Sequence, residues 1–423
     1  MPDHLPNELL IRIFGYVEAF DYASAIRMSC WNYHRDLSTF SRGWAIKRVS
    51  FAVHTCRLVC RKWNVLVLPR VFAQVTLQPT KWDSFVDLLV ASPLCNMALH
   101  VQALTLSQFP ADVVVDRLRT LLPALPALQQ VKLFRVARVG NDAEVVGGVI
   151  PSDKEQRPML AEFIVHDATL DSTALVRISC CLQLFSHIHS VHVSDVSFSG
   201  TIGQELPLAH SHHVVTSHID TFNADSTNPI IVRNIIGHVN CARLPTTLSV
   251  RLAYNPSWTF ALTDLLSLYS NSRFSNPHDQ LSDLTLKVEP FGHYNPVLQV
   301  DIDTDSRALL GLCDILQEVT HHLKRLKLEL RVYDKDHITP RKLDLILRLL
   351  SALPASLTHL VLDLTFCPEQ LWEALALSCR RLGCLKVLEV AVDRRRVGKM
   401  AKIDVHPAVR WLDERGVLQL YEV

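Results

Sequence analysis

The sequence predicts an α/β fold in which short parallel strands alternate with helices. Three observations carry this prediction. Leucine supplies 65 of the 423 residues, whereas glycine supplies only 13. A short apolar alternation of the type L-x-x-L-x-L, which is typical of a strand buried on one face, recurs along the chain. Its copies follow one another at intervals of about 31 residues, a period typical of repeat proteins.

The copies of this alternation differ in clarity, and each is identified here by its middle apolar residue. The clear copies centre on Leu284, Leu326, Leu360 and Leu388. Weaker copies centre on Val75, Leu104, Val131, Phe163 and Val191, and marginal ones on Phe222 and Val250. Amphipathic stretches between the copies predict helices, such as the one that opens at Pro368-Glu369. The alternative architecture is a plain α/β domain with fewer repeats.

The charge balance, apolar runs and cysteines of the chain exclude several classes of function. The chain carries 43 basic and 42 acidic residues, so it lacks the basic excess that nucleic-acid binding requires. Its longest apolar runs fall short of the roughly 18 residues that a membrane span needs. The N-terminal segment has no apolar core of a signal peptide, and the 11 scattered cysteines form no CxxC motif. We therefore expect a cytoplasmic or nuclear protein that binds neither nucleic acid nor membrane.

Two helical segments with apolar stripes lie near the N-terminus. Residues 5–14 read LPNELLIRIF, in which Pro6 suits the first turn of a helix and Glu8 suits its positive end. Residues 55–64 read TCRLVCRKWN, and the apolar positions from Leu58 onward again fall on one helical face.

Together these segments resemble the F-box of fungal-type F-box proteins, through L-P-x-E-L-L-x-x-I-F and V-C-R-x-W-x-x-L. The resemblance implies a small helical domain that docks onto the Skp adaptor of SCF-type cullin–RING ubiquitin ligases. The adaptor-binding residues that it implies are Leu5, Pro6, Leu9, Leu10, Ile13, Phe14, Val59 and Trp63. The two halves are joined by a longer connection than the family has, which predicts an insertion at about residues 18–53. This insertion is either a genuine loop or a translated intron.

The rest of the chain resembles a leucine-rich-repeat solenoid, in which each unit buries its apolar face against its neighbours. The predicted organisation is thus an F-box domain at 1–78 and a leucine-rich-repeat-like domain at 79–423. The family's Asn or Cys, three positions after the last strand leucine, is replaced by Glu289, Arg331, Thr365 and Asp393, which predicts an irregular solenoid. Alternation predicts that target contacts come from strand residues facing away from the core. These candidates are Lys287, Lys327, Glu329, Arg331, Asp363 and Glu389.

A search for catalytic motifs predicts no enzyme, no cofactor and no metal site. None of the patterns GxGxxG, GxxxxGK[ST], GxSxG or HExxH occurs. His218, together with His210, His212 and His213, is interpreted as part of a polar loop. His187, His189 and His192 accompany a predicted strand, where alternation places two of them toward solvent.

The preferred hypothesis is a substrate receptor of an SCF-type ligase, which binds the Skp adaptor through the F-box and an unidentified target through the repeats. The alternative is a leucine-rich-repeat-like interaction scaffold whose F-box is degenerate and which has no role in ubiquitin transfer.

Overall fold

The structure describes only part of the chain. The computed structural model describes residues 69, 72–91, 97–136, 157–199, 217–225, 227, 229–239, 244–252, 256–270, 281–288, 323–330, 347–348, 350–351, 353, 355–363, 369–392 and 410–422. All eight predicted adaptor-binding residues and the predicted insertion at 18–53 lie outside these ranges. The F-box and the domain boundary after residue 78 therefore stay predictions.

The chain divides into two compact units. The first comprises Met1–Gln108 and Arg117–Lys132, and the second comprises Phe109–Asp116 and Leu133–Val423. Two elements contain residues of both units, and these are α2 (Ala111–Leu121) and β3 (Gln130–Phe134).

The described part of the first unit has one strand–helix–strand segment. Strand β1 (Gln74–Leu77) pairs in parallel with β2 (Ala103–Ser107), and helix α1 (Trp82–Ala91) lies between them in sequence. The Trp82 ring is buried, and the guanidinium of Arg117 lies 4.8 Å from its centroid. This arrangement is a cation–π contact, which joins the start of α1 to a residue of α2 that belongs to the same unit.

The described part of the second unit contains nine further strands, and each of β4 to β11 pairs in parallel with the next one along the chain. Their bounds are β4 (Met159–Leu170), β5 (His187–Phe198), β6 (His218–Asp225), β7 (Thr247–Leu252), β8 (Asp283–Val288), β9 (Arg325–Leu330), β10 (His359–Asp363), β11 (Val387–Val392) and β12 (Leu418–Glu422). Parallel neighbours require crossover connections, which helices usually supply. The helices of this unit are α3 (Ser172–Gln183), α4 (Pro229–Val239), α5 (Pro256–Ser270), α6 (Glu369–Arg381) and α7 (Arg410–Glu414). Helix α4 packs against both α3 and α5.

Local sequence explains where these helices begin and end. Asp171 precedes α3 in an extended conformation, and its carboxylate accepts a hydrogen bond of 2.8 Å from the backbone N–H of Ala174. This is the contact expected of an N-cap aspartate. Helix α7 is followed by Gly416, whose φ of 67° suits glycine at the end of a helix. The backbone N–H of Val417 then donates to Leu412, which turns the chain into β12.

The core of the second unit is a continuous row of apolar side chains, one from each of the strands β4 to β12. The strand registers make them direct neighbours, and all nine are buried. This apolar ladder consists of Phe163, Val191, Phe222, Leu248, Leu284, Leu326, Leu360, Leu388 and Leu418. The ladder stabilises the sheet because its side chains pack against apolar neighbours on the adjacent strands and are thereby removed from water.

The α/β class with parallel strands is confirmed, and two details of the predicted repeat are wrong. Leu248, rather than Val250, is the register partner of Phe222, so the marginal copy was centred two residues too late. The error is natural because a shift of two residues keeps every side chain on the same face of a strand. Strand β12 was missed because Arg415 occupies the place where the pattern requires its first apolar residue.

A second regularity follows the strands. Gln108, Arg135, Asp167 and Asp195 each lie four residues after the middle apolar residue of their strand, and all have positive φ, from 52° to 62°. This left-handed conformation is costly for residues other than glycine, although aspartate tolerates it better than most. The position that follows is buried in five copies, where it holds Phe109, Val136, Ala168, Val196 and Thr227.

Thr227 is the polar member of that set. Its hydroxyl donates to the carbonyl of Val193 at 3.3 Å and to that of Asp225 at 2.9 Å. It lies three residues after Ala224, the last apolar residue of its strand, and it hydrogen bonds to the backbone of the preceding strand. Glu289, Arg331, Thr365 and Asp393, which the sequence analysis placed at this position, lie outside the described residues.

Candidate functional site

The outward face of β4, β5 and β6 carries a dense set of polar side chains. Along β5, Ile188, Val191 and Val193 are buried, whereas the residues between them are partly or fully exposed. The same alternation runs along β4 and β6, and the parallel register brings the outward residues of the three strands side by side. Polar groups from distant parts of the sequence therefore meet on one surface.

Three histidines surround one carboxylate at the start of β5 and β6. His187 Nε2 and His189 Nδ1 each lie 2.9 Å from Asp220 Oδ2, and His218 Nε2 lies 3.0 Å from Asp220 Oδ1. The rings of His187 and His218, which are register partners, have centroids 4.9 Å apart. We call His187, His189, His218 and Asp220 the histidine patch.

The electrostatics of the patch favour the ionised carboxylate. Partial burial of Asp220 works to raise its pKa, but the hydrogen bonds from His189 and His187 and the charges of His187 and His218 act in the opposite direction. The histidine contributions together outweigh burial, so the pKa of Asp220 lies below its usual value. The patch therefore holds a carboxylate anion that accepts hydrogen bonds on both oxygens.

The patch also has the composition of a metal-ligand set. The donor atoms of His187, His218 and Asp220 all lie within 4.8 Å of one another. Imidazole nitrogen and carboxylate oxygen are the usual protein ligands of zinc, alongside thiolate. The residues that could hold a metal ion here are thus these three, while His189, whose side chain is 72% exposed, lies against Asp220 beside them.

A second polar group lies further along the same face. His192 Nε2 is 3.1 Å from Glu162 Oε1 and 2.8 Å from the hydroxyl of Ser190. The side-chain amide of Asn223 donates to Ser190 at 3.4 Å and lies 3.3 Å from His192 Nδ1. These contacts cross from β4 through β5 to β6, so the outward face is tied together by side chains as well as by the backbone.

A third group stands near the far ends of β4 and β5. His166 Nδ1 is 2.8 Å from the hydroxyl of Ser194, and its ring stacks on Phe134 with centroids 5.6 Å apart. Asp167, in its left-handed conformation, accepts a 2.7 Å bond from the guanidinium of Arg135. Arg135 and Asp167, which both have positive φ, thus place an ion pair beside this polar face.

The predicted target-binding residues lie in a different part of the unit. Lys327 on β9 and Glu389 on β11 are partly exposed and are both register partners of Val361. Val361 is only 2% exposed, so the outward face is not uniformly open there, contrary to what alternation alone predicts. Lys287, Glu329 and Asp363 lie on strands as expected, but their side chains, like the whole of Arg331, are outside what the structure describes.

Next to Glu389 lies a shallow, open groove of about 540 Å³. Its lining includes Asp283, Arg325 and His359, which form one row across β8, β9 and β10. Sequence reasoning missed this row because it considered the outward positions after the middle apolar residue. The residue just before that middle position points outward too.

Sequence reasoning also missed the histidine patch as a unit. It placed His218 in a polar loop with His210, His212 and His213, but His218 is the first residue of β6. The other three lie outside the described residues. A usable signal was present, because His187 and His218 each stand one residue before the first apolar position of their strand and are 31 residues apart.

Comparison with known proteins adds no assignment. No protein-family model matches the chain, and a search of curated proteins finds no match. None of the helices in the described part of the chain is both long enough and apolar enough to span a membrane.

Proposed function

We propose that this chain is a substrate-receptor subunit of an SCF-type cullin–RING ubiquitin ligase. Residues 5–14 and 55–72 would bind the Skp adaptor, and the parallel α/β region would hold a target protein. The chain would perform no chemistry itself. Its contribution would be proximity, because tethering a target near the ubiquitin-conjugating enzyme replaces a bimolecular encounter by an intramolecular one.

The observation that carries this proposal in the described residues is the two-faced construction of the strands. One face of β4 to β12 supplies the apolar ladder, while the other presents histidine, carboxylate, amide and hydroxyl groups in fixed register. Rigid strands with polar side chains on one open face suit the recognition of another protein. The adaptor-binding half of the proposal rests on the F-box resemblance of the sequence.

We also infer that the repeat region is a leucine-rich-repeat-like solenoid. Three features support this: the apolar ladder, the recurring left-handed residue, and the Thr227 bond to the preceding strand. The ladder residues and the left-handed residues each recur at a fixed place in successive repeats, and Thr227 lies one residue after the place of the left-handed residue. Such regularity is expected when each repeat packs only on its neighbours.

The test of adaptor binding uses the double variant Leu9→Ala with Pro6→Ala. Truncating anchor residues of an interface typically costs about 2 kcal/mol or more each, so we expect co-purification with the Skp adaptor to be abolished. Far-UV circular dichroism should show the α/β region still folded. The matched control is Lys327→Ala with Glu389→Ala, which should retain the adaptor and weaken target capture.

Undiminished adaptor binding by the Leu9 and Pro6 double variant would refute the assignment. The scaffold hypothesis, with a degenerate F-box, predicts instead that the unmodified chain does not bind the adaptor.

A further inference from the structure

We propose that the histidine patch is a binding site for a divalent transition-metal ion of the zinc class, with His187, His218 and Asp220 as ligands. This site does not depend on the proposed role in ubiquitin transfer. It would join β5 to β6 on the outward face.

The backbone places these donors with little freedom. His187 and His218 are register partners in paired strands, and each strand continues into a buried apolar residue, Ile188 in one and Ile219 in the other. His189 and Asp220 follow those two isoleucines directly. The three ligands and the neighbouring His189 therefore stand on strands rather than on loops, which is the arrangement that makes a metal site precise.

The distances are close to those of a loaded site. Zinc–nitrogen and zinc–oxygen bonds of about 2.0–2.1 Å in a tetrahedron separate neighbouring ligand atoms by about 3.3 Å. In the patch, the nitrogen–oxygen distances to Asp220 are 2.9, 2.9 and 3.0 Å. One donor atom from each of His187, His218 and Asp220 lies within 4.8 Å of the other two, so binding would replace hydrogen bonds by metal bonds as these side chains draw together around the ion.

The donor types select the class of ion. Two imidazole nitrogens and one carboxylate oxygen suit Zn²⁺, Co²⁺, Ni²⁺ or Cu²⁺, whereas Ca²⁺ and Mg²⁺ prefer sites made of oxygen alone. The carboxylate supplies one negative charge toward the dication. The side chains of His187, His218 and Asp220 are 30–38% exposed, so the donors are accessible from solvent and yet anchored by the strands.

The surroundings of the patch support an ordered site. Glu162 and His192, the next acid–imidazole pair on this face, are engaged with each other and with Ser190. Glu162 thus already has a partner beyond the patch, and Asp220 is the carboxylate on which the three patch histidines converge. A divalent ion is a ligand that can bind His187, His218 and Asp220 at once.

The experiment titrates the tag-free, full-length chain, freed of metal by a chelator, with Zn²⁺ by calorimetry and with Co²⁺ by visible absorption. We expect one ion per chain at this site, with the intense absorption of tetrahedral Co²⁺. Loss of supporting groups around metal sites typically weakens binding 10–100-fold, so removing a ligand through His187→Gln or Asp220→Asn should weaken it by at least about tenfold.

Two controls make the result specific. His359→Gln changes a histidine on the outward side of β10, and it should leave affinity and spectrum unchanged. The triple variant of His210, His212 and His213 to Gln tests the neighbouring histidine-rich segment, and it should also leave them unchanged. If Asp220→Asn fails to fold by circular dichroism, His187→Gln decides the matter, because that ring is 38% exposed and contributes little to the core.

Unchanged zinc affinity in folded His187→Gln would overturn the proposal. So would loss of binding in the triple variant, because the ion would then be held by the histidine-rich segment. Equal weakening by His359→Gln and His187→Gln would indicate unspecific binding to surface histidines and would overturn it as well.

Discussion

Strands β4 to β6 and strands β8 to β12 share one apolar ladder but present different outward surfaces. The first region has strands of 12, 12 and 8 residues, and its outward side chains form histidine, serine and carboxylate networks. The second has strands of 5 or 6 residues, and its outward face carries an open groove lined by lysine, arginine and acidic residues. The same buried pattern thus supports two chemically distinct surfaces.

The comparison indicates that the outward surface of this chain can change while the buried core stays the same. Alternation assigns the ladder positions to the core, and these keep leucine, valine or phenylalanine in all nine strands. Most positions between the buried ones are at least partly exposed, so they can change in charge and hydrogen bonding from one strand to the next.

The largest expected effect comes from the shared ladder. Phe163, which packs edge-on against Phe185 at a centroid distance of 6.5 Å, represents the first region, and Leu360 represents the second. Phe163→Ala should lower the free energy of unfolding by about 3–5 kcal/mol and Leu360→Ala by about 2–5 kcal/mol, because each leaves a cavity. Urea denaturation followed by circular dichroism measures both.

Both substitutions should lower the midpoint of one shared transition, since their strands belong to one compact unit. A shift for Phe163→Ala with none for Leu360→Ala would contradict the idea of a common ladder and would divide the unit into separately folding parts.

A smaller effect should separate the two regions. Thr227 is fully buried and donates to two carbonyls, whereas Thr358 is partly exposed and donates to the carbonyl of Lys324 at 2.6 Å. Thr227→Val should cost about 1–2 kcal/mol, because the buried carbonyls lose a donor that water cannot replace. Thr358→Val should cost less, about 0.5 kcal/mol, because water can take the place of the hydroxyl.

The same denaturation experiment gives both values, and the difference between the two variants is the result of interest. Equal costs would mean that the hydrogen bond from the Thr227 hydroxyl to the strand of Val193 does not stabilise the fold as its geometry indicates.

Sequence alone predicted the strands better than the surface that they carry. Strands centred on Phe163, Leu326 and Leu388 follow from period-two burial, which local sequence encodes directly. The register at β7 did not follow, because Leu248 and Val250 lie on the same face and sequence offers no choice between them.

The candidate site was harder to predict for a different reason. His187 and Asp220 lie on two different strands and come together only because those strands pair in register. In that register His187 is the partner of His218, which is 31 residues further along the chain. Val361, at an outward position, is only 2% exposed, which the alternation of its own strand does not indicate. Contacts across strands depend on register and on the size of neighbouring side chains, and neither is encoded within one strand.

The most direct test of the central claim, that this chain is a substrate receptor, is affinity purification of the unmodified protein from its source cells with identification of bound proteins by mass spectrometry. The account predicts peptides of the Skp adaptor and of a cullin, together with at least one further protein as the target. Other stable partners without adaptor or cullin peptides would contradict it and would support the interaction scaffold instead.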